Sequence, residues 1–135
     1  MKKILILSHG MFCRHLIETA EMIVGVMEDA EALPLLPGVS GADYAGQLEG
    51  RIVEFVESGY EVICLADLFG GTPCNSAALL MKKYPLVLIS GVNLPMLLQV
   101  YIDKEGKGVT ELRQVALSSL FEGGVDVGEI GRAHV

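Results

Sequence analysis

Two short stretches carry residue types that can handle a charged group. One is Ser8-His9-Gly10; the other is Asp67-Leu68-Phe69-Gly70-Gly71-Thr72-Pro73. Each follows an apolar run, Ile4 to Leu7 in the first case and Val62 to Ala66 in the second. An apolar run that stops at glycine and polar residues reads as a buried strand entering a loop. Two such loops at the carboxyl edge of a parallel sheet bring a histidine and a carboxylate together, where open α/β folds bind ligands. Thr72-Pro73 has the form of a helix start, with Thr72 as N-cap and Pro73 at the first helical position. A histidine, a carboxylate and an open helix N-terminus predict a phosphate-handling site.

The elements that must position these residues follow from the apolar pattern. Lys3–Ser8 is a first strand whose lack of polar alternation predicts burial on both faces, as in parallel sheets. Leu16, Ile17, Ala20, Ile23 and Val24 are spaced for a helix over Arg14–Val24, ended by Gly25. Glu28-Asp29-Ala30-Glu31 reads as an exposed loop, and Ala32–Leu36 as a second strand, placed at an edge by Pro34. Tyr44, Leu48, Ile52, Phe55 and Val56 trace a second helix closed by Ser58-Gly59. Tyr60–Ala66 is a third strand that delivers Asp67 to its carboxyl end. A third helix covers Pro73–Lys83, with Lys82 and Lys83 complementing the dipole in its last turn. Leu86–Ile89 is a fourth strand, Leu94–Tyr101 a fourth helix, and Thr110–Leu120 a fifth, capped at Thr110. Val125–Ile130 is expected as a short final strand. The order is α/β with an open parallel sheet and helices on both faces.

Bulk properties narrow the function. The 135 residues suit one domain, over 1–130 with a loose tail at 131–135, and 51% hydrophobic composition supports a real core. Ten Lys and Arg against 17 Asp and Glu give a net charge of −7, which disfavours nucleic acid. The N-terminal apolar run is too short for a signal peptide, and no stretch approaches a membrane span. Cys13, Cys64 and Cys74 form no CxxC pair and fit reduced thiols in a cytoplasm. The Gly70-Gly71-Thr72-Pro73 segment lacks the Walker pattern with its lysine. No metal, nucleotide or other cofactor site is expected.

The motifs also resemble a known family. Ser8-His9-Gly10, Glu21-Met22, Asp67, Gly70-Gly71-Thr72-Pro73, Asn75 and Gly91-Val92-Asn93-Leu94-Pro95-Met96-Leu97 are similar to the mannose-family enzyme IIA domain of the bacterial sugar phosphotransferase system. The resemblance implies a cytoplasmic phosphocarrier. His9 would accept a phosphoryl group from the carrier protein HPr and pass it to an enzyme IIB partner. Asp67 would orient His9, and Thr72 would face the phosphate with Gly70 and Gly71. The resemblance further implies a homodimer with a four-stranded parallel core and an exchanged C-terminal antiparallel strand. Membrane components IIC and IID would be engaged only indirectly, and the phosphoryl group comes from phospho-HPr, not from a bound cofactor. Because no IIB domain follows in the sequence, that partner is expected as a separate protein.

The chemistry asks for these residue types. A neutral imidazole has a nucleophilic ring nitrogen at cytoplasmic pH. A carboxylate that accepts Nδ1–H leaves Nε2 free to attack, and it stabilises the cationic ring once Nε2 is phosphorylated. Ser8, Gly10, Asn75 and Asn93 are expected to brace the loops. His15 and His134 fall on the first helix and in the tail, away from the site. Cys74 stands where the family often carries Phe, and Met11-Phe12-Cys13 is bulkier than the small residues frequent after His-Gly. Cys74 at a helix start also raises the option of redox sensitivity. Two other functions share these residues: a regulatory module that uses His9 phosphorylation as a switch, and a phosphoryl-donor subunit for dihydroxyacetone kinase.

Overall fold

The computed structural model describes residues 1–129. Its elements run β1 (Lys2–His9), α1 (Phe12–Val24), β2 (Ala30–Leu35), α2 (Gly41–Glu57), β3 (Glu61–Ala66), α3 (Thr72–Leu80), β4 (Leu86–Ser90), α4 (Leu94–Asp103) and α5 (Val109–Glu122). The strands form one sheet in the order β2-β1-β3-β4, every pairing parallel. The chain leaves β1 for β2 on one side and later returns to place β3 on the other. The strand order therefore reverses between β1 and β3, the position where open α/β sheets bind ligands at the carboxyl ends of their strands.

Burial on both faces explains the unbroken apolar strands. Ile4, Ile6, Ile63 and Leu65 pack on one face with Leu16, Ile17 and Ala20 of α1, Met96 and Leu97 of α4, and Leu112 of α5. Leu5, Leu7, Val62, Cys64 and Ala66 point the other way, onto Tyr44, Leu48, Ile52 and Phe55 of α2 and Ala77 and Leu80 of α3. Each fully buried aliphatic chain contributes about 1.5–3 kcal/mol relative to exposure, so the strand ends are held firmly in register. Tyr44 donates its hydroxyl to Leu33 O at 2.7 Å, tying α2 to edge strand β2. Burial pushes the Tyr44 phenol well above its ordinary pKa.

Several boundaries differ from the sequence expectation. β2 begins at Ala30, so Ala30 and Glu31 belong to the sheet, paired with Ile4 and Leu5. Asp29 is no free loop residue either: Lys104 Nζ reaches it at 2.7 Å and Lys3 Nζ at 3.1 Å. α3 stops at Leu80, leaving Lys82 and Lys83 in the turn beyond it. There the Lys82 and Lys83 N–H groups turn back to Leu79 and Leu80, and Pro85 keeps Tyr84 out of helical backbone. α5 starts one residue early behind Gly108, with no side-chain cap, so Thr110 lies inside the first turn.

The expected strand over Val125–Ile130 is not present in the described part. Residues 127–129 make a helical turn, and Glu129 N–H donates to Asp126 O and Oδ1, both at 3.1 Å. Asp126 offers its oxygens to this local turn in place of an extended backbone. Ile130 and the tail 131–135 lie outside the described residues.

Candidate functional site

His9 is the last residue of β1, and Asp67 follows the last residue of β3. Asp67 N–H donates to Leu7 O at 2.9 Å, extending the ladder by one rung and fixing the carboxylate beside His9. Asp67 Oδ2 then accepts two bonds from His9, from the backbone N–H at 2.9 Å and from ring Nδ1 at 2.8 Å. A carboxylate only accepts, so Nδ1 carries the proton and the neutral ring keeps its lone pair on Nε2. The ring is half exposed, at 49%, whereas the Asp67 side chain is 17% exposed. Asp67 Oδ1 is buried and has no partner among the described residues. Both of the carboxylate's contacts in the site therefore run through one oxygen to His9.

The loops around this pair are held by polar side chains. Ser8 is fully buried, donates to Gly10 O at 2.9 Å, and accepts from Cys13 N–H at 2.8 Å. That bond satisfies one open N–H of α1, which has no capping side chain at Met11. Gly10 sits at φ +58° and donates its N–H to Leu35 O, a turn that a residue with a Cβ adopts with strain. Asn75 Nδ2 donates to Gly70 O at 3.0 Å. Asn93 caps α4 by accepting from Met96 N–H at 2.9 Å, and its Nδ2 reaches Leu120 O at the end of α5. Asn75 and Asn93 thus tie loops to neighbouring backbone, and none of these hydrogen bonds goes to His9.

Thr72 departs from the expectation. It is the first residue of α3, the N-cap is Gly71, and no side chain caps this helix. The Gly71 carbonyl accepts the first helical bond, from Asn75 N–H at 2.9 Å. The N–H groups of Thr72 and Cys74 have no partner among the described residues, and Pro73 has none to offer. The Thr72 hydroxyl makes no hydrogen bond there either, while its methyl faces Gly41 at the start of α2. A cap would have consumed these groups; they stand open at a helix N-terminus, which favours an anion.

Two features were missed in the sequence. Gly71 closes on the imidazole itself: a Cβ there would lie 2.6 Å from His9 Cε1. The site is also rimmed by exposed apolar residues, Met11, Phe12, Leu36, Leu68 and Phe69, the last 84% exposed. The signal for the rim was an adjacent Leu-Phe pair in a loop before two glycines. All three thiols are buried: Cys74 is 4% exposed, burial pushes Cys13 up, and Cys64 is pushed up to about 12. Among the described residues, no group of three or more His, Cys, Asp or Glu could hold a metal ion, and no helix is long and apolar enough to cross a membrane.

Fold and site define a class: a doubly wound α/β protein that presents a carboxylate-bound histidine at its topological switch point. Residues 3–117 match the family model described as the PTS system fructose IIA component. The fructose-specific EIIA component of Bacillus subtilis (strain 168) is 32% identical over 113 residues, covering 83% of this chain and 77% of that protein. The mannose-specific EIIAB component of Escherichia coli (strain K12) is 28% identical over 103 residues, 76% of this chain but only 32% of that longer protein. In structure, the phosphotransferase system component EIIA from Streptococcus agalactiae superposes with a TM-score of 0.86 at 30% identity, covering 96% of this chain and 99% of that one. The chain belongs to this family, the IIA components of the fructose, mannose and sorbose group of the sugar phosphotransferase system.

Proposed function

We propose that this chain is a phosphocarrier in which His9 Nε2 accepts a phosphoryl group from phospho-HPr and passes it to an enzyme IIB partner. The observation that carries the reading is the 2.8 Å bond from His9 Nδ1 to Asp67, which leaves Nε2 as the free nucleophile. The Nε2 lone pair attacks phosphorus, the Nε2–P bond forms, and the bond from phosphorus to the donor breaks with its electron pair returning to HPr. Nδ1 keeps its proton throughout. The phosphorylated ring then has cationic character, which Asp67 stabilises and which makes the ring a good leaving group for the next transfer. The open N–H groups of Thr72 and Cys74 and the Thr72 hydroxyl supply donors for the phosphoryl oxygens. Such a helix terminus contributes about 0.3–1 kcal/mol, and up to about 2 when partly buried.

In this reading the protein works in the cytoplasm and meets membrane components IIC and IID only through IIB. It also acts as a homodimer. Among the described residues the outer edge of β4 has no strand beside it, and exposed Phe69, Leu117 and Phe121 give that side an apolar character suited to a second copy. The fructose, mannose and sorbose named for its relatives belong to those proteins, and sugar contacts lie outside a IIA component.

Incubation with phosphoenolpyruvate, enzyme I and HPr, read by intact mass, tests the assignment. One added phosphoryl group is expected, lost in His9→Ala. No addition, or phosphate retained in His9→Ala, overturns it. Onward transfer to a cognate IIB separates a carrier from a regulatory switch, which has no need to release the group.

A further inference from the structure

Gly71 lies between Gly70, at φ +84°, and the first residue of α3. Its own φ is −80°, a backbone that any L-residue adopts, so the turn does not require glycine at this position. The requirement comes from His9. A Cβ at position 71 would stand 2.6 Å from Cε1, 3.2 Å from Nε2 and 3.7 Å from Nδ1. The closest of these is shorter than real Cβ contacts, and the set places the intrusion at the ring edge, nearer Nε2 than Nδ1. Gly70 shows the opposite pattern: a Cβ there meets nothing within 4 Å, and only its positive φ resists substitution.

We propose that Gly71 is a positioning residue for His9: its bare backbone walls the Cε1 edge, so that the ring stays on Asp67 with Nε2 beside the start of α3. This rests on the phosphocarrier reading for its consequence, and on the ring geometry alone for its structural content. Asp67 holds one side of the imidazole by a hydrogen bond. Gly71 limits where the adjoining Cε1 edge can go. A methyl group at 71 leaves the backbone unstrained and acts on a half-exposed side chain that can swing into solvent. The ring is therefore the part that yields, and it yields by leaving Asp67. Without that bond the Nδ1–H form loses its anchor, and the proton distributes over both ring nitrogens.

The test compares Gly71→Ala with Gly70→Ala in the full chain, using three readouts. Nitrogen NMR of the His9 ring reports the tautomer, urea unfolding reports the backbone, and single-turnover transfer from phospho-HPr reports the chemistry. Gly71→Ala is expected to keep its unfolding midpoint, lose the single Nδ1–H signature, and slow transfer by about ten-fold or more. Gly70→Ala is expected to lower the midpoint and keep the tautomer signature. In Asp67→Asn/Gly71→Ala the two losses should combine to less than their sum, because both act through one bond. An unaltered tautomer together with transfer within about three-fold of the parent overturns the proposal. So does a Gly71→Ala chain that fails to fold, because the wall would then be structural rather than positional. If the parent chain accepts no phosphoryl group, the phosphocarrier reading falls, while the tautomer comparison still decides the role of Gly71.

Discussion

Asp67→Asn keeps the size of the side chain and removes its charge, and the geometry limits how the amide can sit. In the native site Oδ2 accepts from His9 N–H and Nδ1, while Oδ1 is buried without a partner among the described residues. If the asparagine oxygen takes the Oδ2 place, both His9 donors remain satisfied and the NH2 group falls on the Oδ1 place. That place is buried, and a donor left unmet there costs about 1–3 kcal/mol. If the amide turns over, its NH2 faces two donors on His9, and the ring must move its proton to Nε2 to offer a lone pair. That tautomer cannot attack phosphorus. In the first orientation the bond to the ring survives but is no longer charge-assisted, a loss of about 1–1.5 kcal/mol as the ring becomes cationic. Each 1.4 kcal/mol is about ten-fold in rate, so transfer should slow by at least about ten-fold, and further by whatever fraction adopts the second orientation. Rapid-quench phosphorylation by phospho-HPr, with urea unfolding in parallel, measures both effects. A folded variant with a rate within about three-fold of the parent would refute the orienting role of Asp67.

Thr72→Ala should leave stability within about 0.5 kcal/mol, since Thr72 caps nothing, yet slow phosphorylation through the lost hydroxyl; an unfolding midpoint that falls with unchanged kinetics would contradict both halves. Asn93→Ala should cost about 1 kcal/mol as a lost cap of α4, read by urea unfolding, with no change in the tautomer of His9. The hydrogen bond from Lys104, followed by that from Lys3, holds the Asp29 carboxyl below its ordinary pKa. A lowered folded-state value adds stability above the unfolded pKa and loses it as pH falls through the folded one. Asp29→Asn should therefore be less stable than the parent at neutral pH, and the two unfolding curves should converge below about pH 4. A constant gap down to lower pH would show that the charge of Asp29 is not what stabilises this end of the sheet.

The parts of the site legible in the sequence are those that sit on strands. His9 and Asp67 each end an unalternating apolar run, and two buried parallel strands that neighbour one another must bring their ends together. The sequence offered less at the helix starts. Thr72 and Thr110 are good capping types just before helical patterns, yet Gly71 and Gly108 take those places. Capping propensity is worth about 1 kcal/mol, less than the packing that decides where a helix begins. At Gly71 the reason for the glycine is a neighbour 62 positions away, and no local pattern announces a contact of that range. Asp29 shows the same limit: it reads as part of an acidic loop, but its partner Lys104 arrives from the far end of α4.

On the phosphocarrier reading proposed above, the site also accounts for how a chain of net charge −7 would attract a phosphoryl group. In a parallel α/β sheet every helix that follows a strand begins at the carboxyl edge, and here α1, α2 and α3 start around the ends of β1, β2 and β3. Gly41 at the start of α2 packs on the methyl of Thr72 at the start of α3, so two of these termini are adjacent. Their dipoles make the edge locally favourable to an anion whatever the sum over the surface, because such fields act within about a turn while distant charges are screened. The apolar rim of Met11, Phe12, Leu36, Leu68 and Phe69 completes the argument. A phosphoryl group on an imidazole can go to water as well as to a partner. Covering the rim with a protein surface removes that water and strengthens both the Asp67 contact and the helix dipoles in the same step. Acidic substitution on the rim, as in Phe12→Asp, should thus weaken transfer between proteins more than it alters the slow loss of phosphate from the isolated phosphorylated chain.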